Sequence, residues 1–274
     1  MKDNGLLVQY FNANTPADQT LWAKAVKDAA TLKKLGATAV WFPPATKGAA
    51  GKDDRGYAPY DLYDLGEFNQ KGSVGTRYGT KKEYLEAIDA MKAQGINVYA
   101  DIAVRQKLGA DSVEKVTAAD FNAKDIPQMI GNKKIVGALS KFTFPGRKSK
   151  YSKFKWNWNH FAGIDWQQDD FKRRVCELSG MTEMEAEKKY KLSKYDYIIG
   201  SELDLYNQEV YDELMAWAKW YEDVTGVDGF RFQEAEKIPG WFIRDFAEAA
   251  SNAGEEEKEI FTVGDFWHWR CDYI

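Results

Sequence analysis

The sequence predicts an α/β protein built on parallel strands, and three observations carry that reading. Short β-branched or aromatic runs alternate with amphipathic helical stretches at both ends of the chain. Glycines stand where those helical stretches stop. The alternation breaks once, in the middle, which marks an insertion rather than a second domain of the same kind.

In order, "LLVQYF" (Leu6–Phe11) reads as a short buried strand followed by the polar loop "NANTPADQT". "LWAKAVKDAATLKKLG" has helical apolar spacing and stops at Gly36. "ATAVWFPP" (Ala37–Pro44) is a β-branched and aromatic run that prolines terminate. A long loop rich in Gly, Tyr and Asp spans Ala45–Gly79, then "KKEYLEAIDAMKAQG" predicts a helix ending at Gly95, and "INVYADIAV" a strand. Residues 107–200 read as irregular, basic in places and dense in aromatics. The alternation resumes with helix "NQEVYDELMAWAKWYEDVTG", strand "VDGFRFQ", helix "GWFIRDFAEAASNAG" and strand "EIFTVGDFW". That makes five strands of one kind. The domains expected are residues 1–106, an insertion at 107–200, and 201–274.

Composition narrows the function classes. The 274 residues carry a net charge of −4, which argues against nucleic acid, a ligand that rewards a concentrated basic surface. No apolar run approaches membrane-spanning length. The start "MKDNGLLVQYF" has neither a basic n-region nor an apolar h-region, so no secretory signal is read, and a cytoplasmic location is expected. Cys176 and Cys271 form neither a disulfide framework nor a metal-type spacing. Aromatic residues make up 15% of the chain, with 10 Trp. Core packing accounts for most of these; sugar stacking is the alternative. For Trp156, Trp158 and Trp166 the core is expected, and His160 and His268 have no metal-ligand spacing.

The pieces "AVWFPPATKG", "GYAPYDLYDLGEFNQKGSVGTRYGTKKEYLEAI", "GINVYADIAV", "FTFPGRKSKYSKFKWNWNHFAGIDW", "VDGFRFQEAEK" and "FTVGDFW" occur in an order that resembles the α-amylase family of glycoside hydrolases, especially the bacterial liquefying type. The resemblance covers nearly the whole chain. It implies a (β/α)8 TIM-barrel-derived fold, with an inserted B domain after the third strand and a site at the carboxyl ends of the strands. About five of the eight strands are present. Five strands cannot close such a barrel, so the open sheet edge needs a cover, and self-association through that edge is one expectation. A fragment, a completing partner chain and a re-engineered fold are the three explanations left open.

The resemblance also implies site residues. Retaining glycoside hydrolysis needs two carboxyl groups about 5–5.5 Å apart. The family's nucleophile is the aspartate two residues after the arginine of "GFR". Here Arg231 is kept and Gln233 stands in the nucleophile position, where a carboxamide has no charge to offer an oxocarbenium ion. Glu234 is adjacent, but strand alternation would point it to the opposite face. The family's acid/base glutamate is matched by Asp265, one methylene shorter, and misplacement of about 1 Å can cost on the order of a hundredfold in rate. In "DIAVRQ", Asp101 is kept, Gln106 replaces the sugar-gripping histidine, and Arg105 replaces a calcium-ligating asparagine. The other implied calcium positions are Asp196 and Glu202. Lys237 is kept although Ile238 replaces the usual histidine, and "QYFNAN" lacks an aromatic of the first strand. Tyr57 matches a sugar-stacking tyrosine, and Trp267, after the fifth strand, is expected to join Tyr57, Asp101, Gln106 and Lys237 in binding substrate.

Calcium takes six to eight oxygen ligands and a guanidinium supplies none. Arg105 is therefore expected to replace the ion, pairing with Asp196 or Glu202, and no cofactor is expected. The resulting expectation is a catalytically impaired relative that keeps an α-glucan (starch or maltooligosaccharide) cleft. The alternatives are an active hydrolase, using Asp265 with Glu234 or completed by a partner chain, and a non-enzymatic scaffold.

Overall fold

The computed structural model describes residues 5–122, 128–167, 172–178, 200–254 and 258–266. The chain divides into two compact units, Met1–Ala103 with Leu214–Ile274, and Val104–Glu213.

The first unit is organised by five parallel strands: β1 (Leu7–Gln9), β2 (Ala39–Phe42), β5 (Asn97–Ile102), β12 (Gly229–Phe232) and β13 (Phe261–Gly264), in that spatial order. Neighbouring strands in sequence are neighbours in space, as βαβ units require. Between them run α1 (Leu21–Lys34), α2 (Lys81–Ala93), α3 (Gln208–Thr225) and α4 (Gly240–Ser251). The helices end where the glycines predict: Gly36 and Gly95 have φ of 90° and 65°, conformations that cost glycine little. α2 starts on a capping box, with the Thr80 N–H donating to Glu83 Oε2 at 2.8 Å.

Strand alternation sorts this sheet into two faces. Val40, Phe42, Val98, Ala100, Ile102, Phe230 and Phe232 are all buried. The apolar stripes of the helices are buried too: Trp22 on α1, Tyr84 and Ile88 on α2, Trp217 and Tyr221 on α3, Phe246 on α4. Trp22 meets Phe42 at 5.2 Å between ring centroids, and Phe230 meets Phe246 edge-on at 5.2 Å. The hydroxyls of Tyr84 and Tyr221 pair at 2.9 Å, so both phenols are satisfied inside the core. On the other face, in register, lie Leu7, Trp41, Tyr99, Asp101, Arg231, Phe261 and Val263. Leu7, expected in a buried strand, is 44% exposed. β1 pairs only with β2 among the described residues, so one flank of Leu7 has no neighbouring strand to cover it.

The loop Ala45–Gly79 is more ordered than its composition predicts. It contains the hairpin of β3 (Lys47–Gly48) and β4 (Pro59–Asp61). Gly56, with φ 92°, lies where a Cβ would approach Pro44 Cβ to 2.6 Å, so the chain passes Pro44 only because residue 56 has no side chain.

The second unit corrects the reading of residues 107–200 as irregular. It holds a six-stranded antiparallel sheet, with strands β6 (Gln106–Lys107), β11 (Ser201–Leu203), β9 (Phe161–Gln167), β10 (Lys172–Glu177), β7 (Ser112–Asn122) and β8 (Gln128–Lys141) in spatial order. Register shifts in three of the pairings displace the apolar alternation, which hides these strands from a period-two reading. Trp156 is buried with Phe142, Phe144 and Phe161, as expected; Trp158 is 40% exposed and Trp166 half-buried, which is not. Trp158 opens a single 3-10 turn, Trp158–His160, whose end His160 occupies the interior. There the Asn157 N–H donates to His160 Nδ1 at 3.1 Å, which leaves Nε2 to donate to Glu209 Oε2 at 3.0 Å. No helix among the described residues is long and apolar enough to cross a membrane.

Candidate active site

Four of the residues singled out by sequence converge at the carboxyl ends of the parallel strands in the first unit. Asp101 and Arg231 are register partners on β5 and β12, so their side chains leave the same face side by side. Arg231 Nη1 donates to Asp101 Oδ1 at 3.0 Å and to Oδ2 at 3.1 Å. The Tyr57 hydroxyl, delivered by the turn before β4, donates to Asp101 Oδ2 at 2.6 Å. Arg231 Nη2 reaches Asp265 Oδ2, the first residue beyond β13. One guanidinium therefore bridges two carboxylates, a task suited to its planar fork.

Asp101 is 1% exposed. Burial, outweighing the pull of Arg231 and the hydrogen bond from Tyr57, pushes its carboxyl up to about 6. The Tyr57 hydroxyl is raised far above the ordinary phenol range, first by burial and then by the neighbouring Asp101 carboxylate. That pair thus shares its proton with the tyrosine as donor.

The nucleophile position has a different environment. β12 ends at Phe232, so Gln233 and Glu234 lie in a turn before the short 3-10 helix Ala235–Lys237. The Gln233 N–H donates to Ile102 O at 3.0 Å, and its side-chain Oε1 is buried without a hydrogen bond among the described residues. Glu234 has a left-handed backbone (φ 51°, ψ 49°), which overturns the expectation from strand alternation: the strand has already stopped. Its main-chain N–H donates to Asp265 Oδ1, and its carboxylate accepts from Lys237 Nζ at 2.8 Å. Both Asp265 oxygens are thus engaged, one by Arg231 and one by the chain. Lys237 pairs with Glu234.

Trp41 was not singled out by sequence, yet it sits inside the cluster with the Arg231 guanidinium 4.7 Å from its ring centroid. Its alternation with the buried Val40 and Phe42 in "AVWFPP" is the signal that could have placed it on the inner face. A cavity of about 180 Å³ is lined by Leu7, Trp41, Tyr99, Arg231, Val263, Gly264 and Asp265.

Of the remaining positions, Arg105, Gln106 and Glu202 belong to the second unit. Gln106 is buried in the second unit on β6, opposite Glu202 of β11. Arg105, 3% exposed, donates from Nη1 to Glu202 Oε1 at 2.8 Å, and its carbonyl accepts from the Leu203 N–H at 2.7 Å. Trp267 and Asp196 fall outside the described residues. A guanidinium with Glu202 as its buried partner does not fit a calcium ion, which needs oxygen ligands on every side. Among the described residues no group of three or more His, Cys, Asp or Glu could hold a metal.

No family model matches the chain. It is 44% identical over 268 residues to the α-amylase of Geobacillus stearothermophilus, covering 97% of this chain and 48% of that protein. It is 40% identical over 264 residues to the α-amylase of Bacillus licheniformis, covering 96% and 51%. It is 35% identical over 275 residues to the cytoplasmic α-amylase of Escherichia coli, covering 99% and 55%. Among solved structures, an Anoxybacillus α-amylase superposes with a TM-score of 0.54 at 16% identity, over 96% of this chain and 46% of that one. An α-amylase from Malbranchea cinnamomea does so with 0.52 at 14% identity, over 96% and 47%. The structural likenesses speak for the fold, a (β/α)8-barrel-derived sheet of five parallel strands. The chain spans about half the length of the curated relatives it matches. On a sequence kinship that runs through nearly all of its residues, and on the shared sheet, the chain belongs to the α-amylase family of glycoside hydrolases.

Proposed function

We propose that this chain is an α-glucan-binding member of its family in which the hydrolytic step is disabled. The observation that carries the reading is Gln233. It follows Arg231 by two residues, beside a preserved Asp101–Arg231–Asp265 cluster, and brings an amide where retaining hydrolysis needs an anionic nucleophile. The neighbouring Glu234 does not replace it, because its carboxylate is engaged by Lys237. In the same reading Tyr57, Trp41 and Arg231 form the sugar-facing wall, and Asp265 occupies the acid/base position. Residues 107–200 are the inserted B domain.

Two measurements test this. Calorimetric titration of the chain with maltoheptaose gives saturable binding that Tyr57→Ala weakens by about tenfold, the effect of one lost stacking contact. A reducing-sugar assay on soluble starch gives no turnover. Absence of any binding sinks the α-glucan cleft. Starch turnover that Asp265→Asn abolishes sinks the disabled site and establishes an active hydrolase.

We further propose that the Arg105 guanidinium stands in for the family's calcium. A cation built into the chain satisfies buried Glu202 without a bound ion. The parent protein then unfolds at the same temperature with and without a chelator, whereas a chelator-induced drop overturns the proposal.

A further inference from the structure

Lys47 is wholly buried, and its ammonium meets an unusual set of partners. Nζ lies 2.6 Å from Val74 O, 2.8 Å from Ser73 O, 3.2 Å from Phe68 O and 3.5 Å from Gly75 O. Asp64 Oδ2 stands 3.6 Å away. Four carbonyl oxygens and one carboxylate thus converge on a single point inside the protein. Oxygen dipoles aimed at one point repel each other unless a cation fills it, which is how carbonyl rings hold potassium. Asp64 contributes only one edge of its charge, since it also accepts the N–H groups of Gly66, Glu67 and Phe68 and the Gln70 amide. Burial pulls the lysine below its ordinary range, although Asp64 and Asp61 oppose that shift.

The same residue lies at a mechanical junction. Lys47 sits in β3 opposite Asp61 of β4, its N–H donates to Asp64 O at 2.7 Å, and Ala49 N–H donates to Ala58 O at 2.8 Å. Tyr57 is the residue immediately before that contact. The side chain of Lys47 therefore ties the strip from Phe68 to Val74 to the hairpin that presents Tyr57 to Asp101.

We propose that the loop Ala45–Gly79 contains a monovalent-cation site whose resident ion is the chain's own Lys47 ammonium, and that this ion positions Tyr57. Lys47 is a positioning residue that touches no substrate, and the proposal stands apart from the α-glucan reading. Deleting the side chain then leaves a cradle sized for an ion such as potassium or methylammonium.

The test compares Lys47→Ala with the parent by thermal unfolding in choline, potassium and methylammonium chlorides at equal ionic strength. The variant melts below the parent in choline, and potassium or methylammonium raises its melting temperature saturably by roughly 5 °C, while the parent is indifferent to the choice. Tyr57 nitration, located by peptide mass, is faster in the variant in choline and slows again in the rescuing salt. Equal effects of choline and potassium, or a Lys47→Met variant as stable as the parent, overturn the proposal. Should Lys47→Ala fail to fold, the parent decides the matter by reductive methylation. Lys47 then stays unmodified in the folded protein while exposed Lys82 reacts, and comparable labelling of the two overturns the site.

Discussion

At the scale of single residues, the cluster around Arg231 shows how one cation organises a site. The guanidinium bridges Asp101 and Asp265, and the Tyr57 hydroxyl donates to Asp101. This makes the cluster sensitive to pH in a defined direction. A carboxyl raised from 3.8 to about 6 in the folded chain favours folding most below its unfolded value, and that contribution is lost as pH rises through about 6. The loss is on the order of 3 kcal/mol. Urea unfolding between pH 4 and 7 then shows a falling component in the parent that is missing from Asp101→Asn. Identical pH slopes for the two proteins contradict it. Much of this cluster was legible in the sequence, because Tyr57, Asp101, Arg231 and Asp265 sit in recognisable motifs. Glu234 was not, since nothing in "RFQEAEK" announces that the strand ends at Phe232 and that a non-glycine residue turns left-handed.

At the scale of elements, the parallel strands are held by close approach as much as by side chains. A Cβ placed on Gly229 would stand 2.3 Å from Phe261 O on β13, backbone that cannot step aside without parting the two strands. Gly229→Ala is therefore expected to cost about 1–3 kcal/mol, the usual range for overpacking. Its urea midpoint should fall accordingly, and an unchanged midpoint would contradict the packing described. Asp265 follows β13 directly, so the same variant should disturb its contact with Arg231. The helices and the five strands could be read because their periods are clean and glycines end them. The six-stranded sheet escaped the same reading, its alternation broken by register shifts and by buried polar residues such as Lys107. The hairpin of β3 and β4 was hidden inside a loop whose order comes from Lys47 and Asp64, long-range contacts that no local pattern encodes.

At the scale of the whole molecule, we propose that the family's scaffold is kept while its chemistry is lost. The apolar faces of sheet and helices, the hairpin carrying Tyr57 and the Arg231 layer are in place, and in that proposal Gln233 and Arg105 stand where the family has its nucleophile and a calcium-ligating asparagine. Arg105 and Glu202 form a buried pair, so Arg105→Ala removes the cation beside a buried carboxylate and is expected to cost about 3–5 kcal/mol. Millimolar calcium should return part of that loss in the variant, with no effect on the parent; a variant as stable as the parent would contradict the assigned role. The proposed loss of the nucleophile at Gln233 is decided by hydrolysis of a chromogenic maltooligosaccharide by the parent and by Gln233→Asp. A silent parent and measurable turnover from the variant are expected, because the substitution restores an anion two residues after Arg231. Turnover by the parent equal to that of the variant would contradict it.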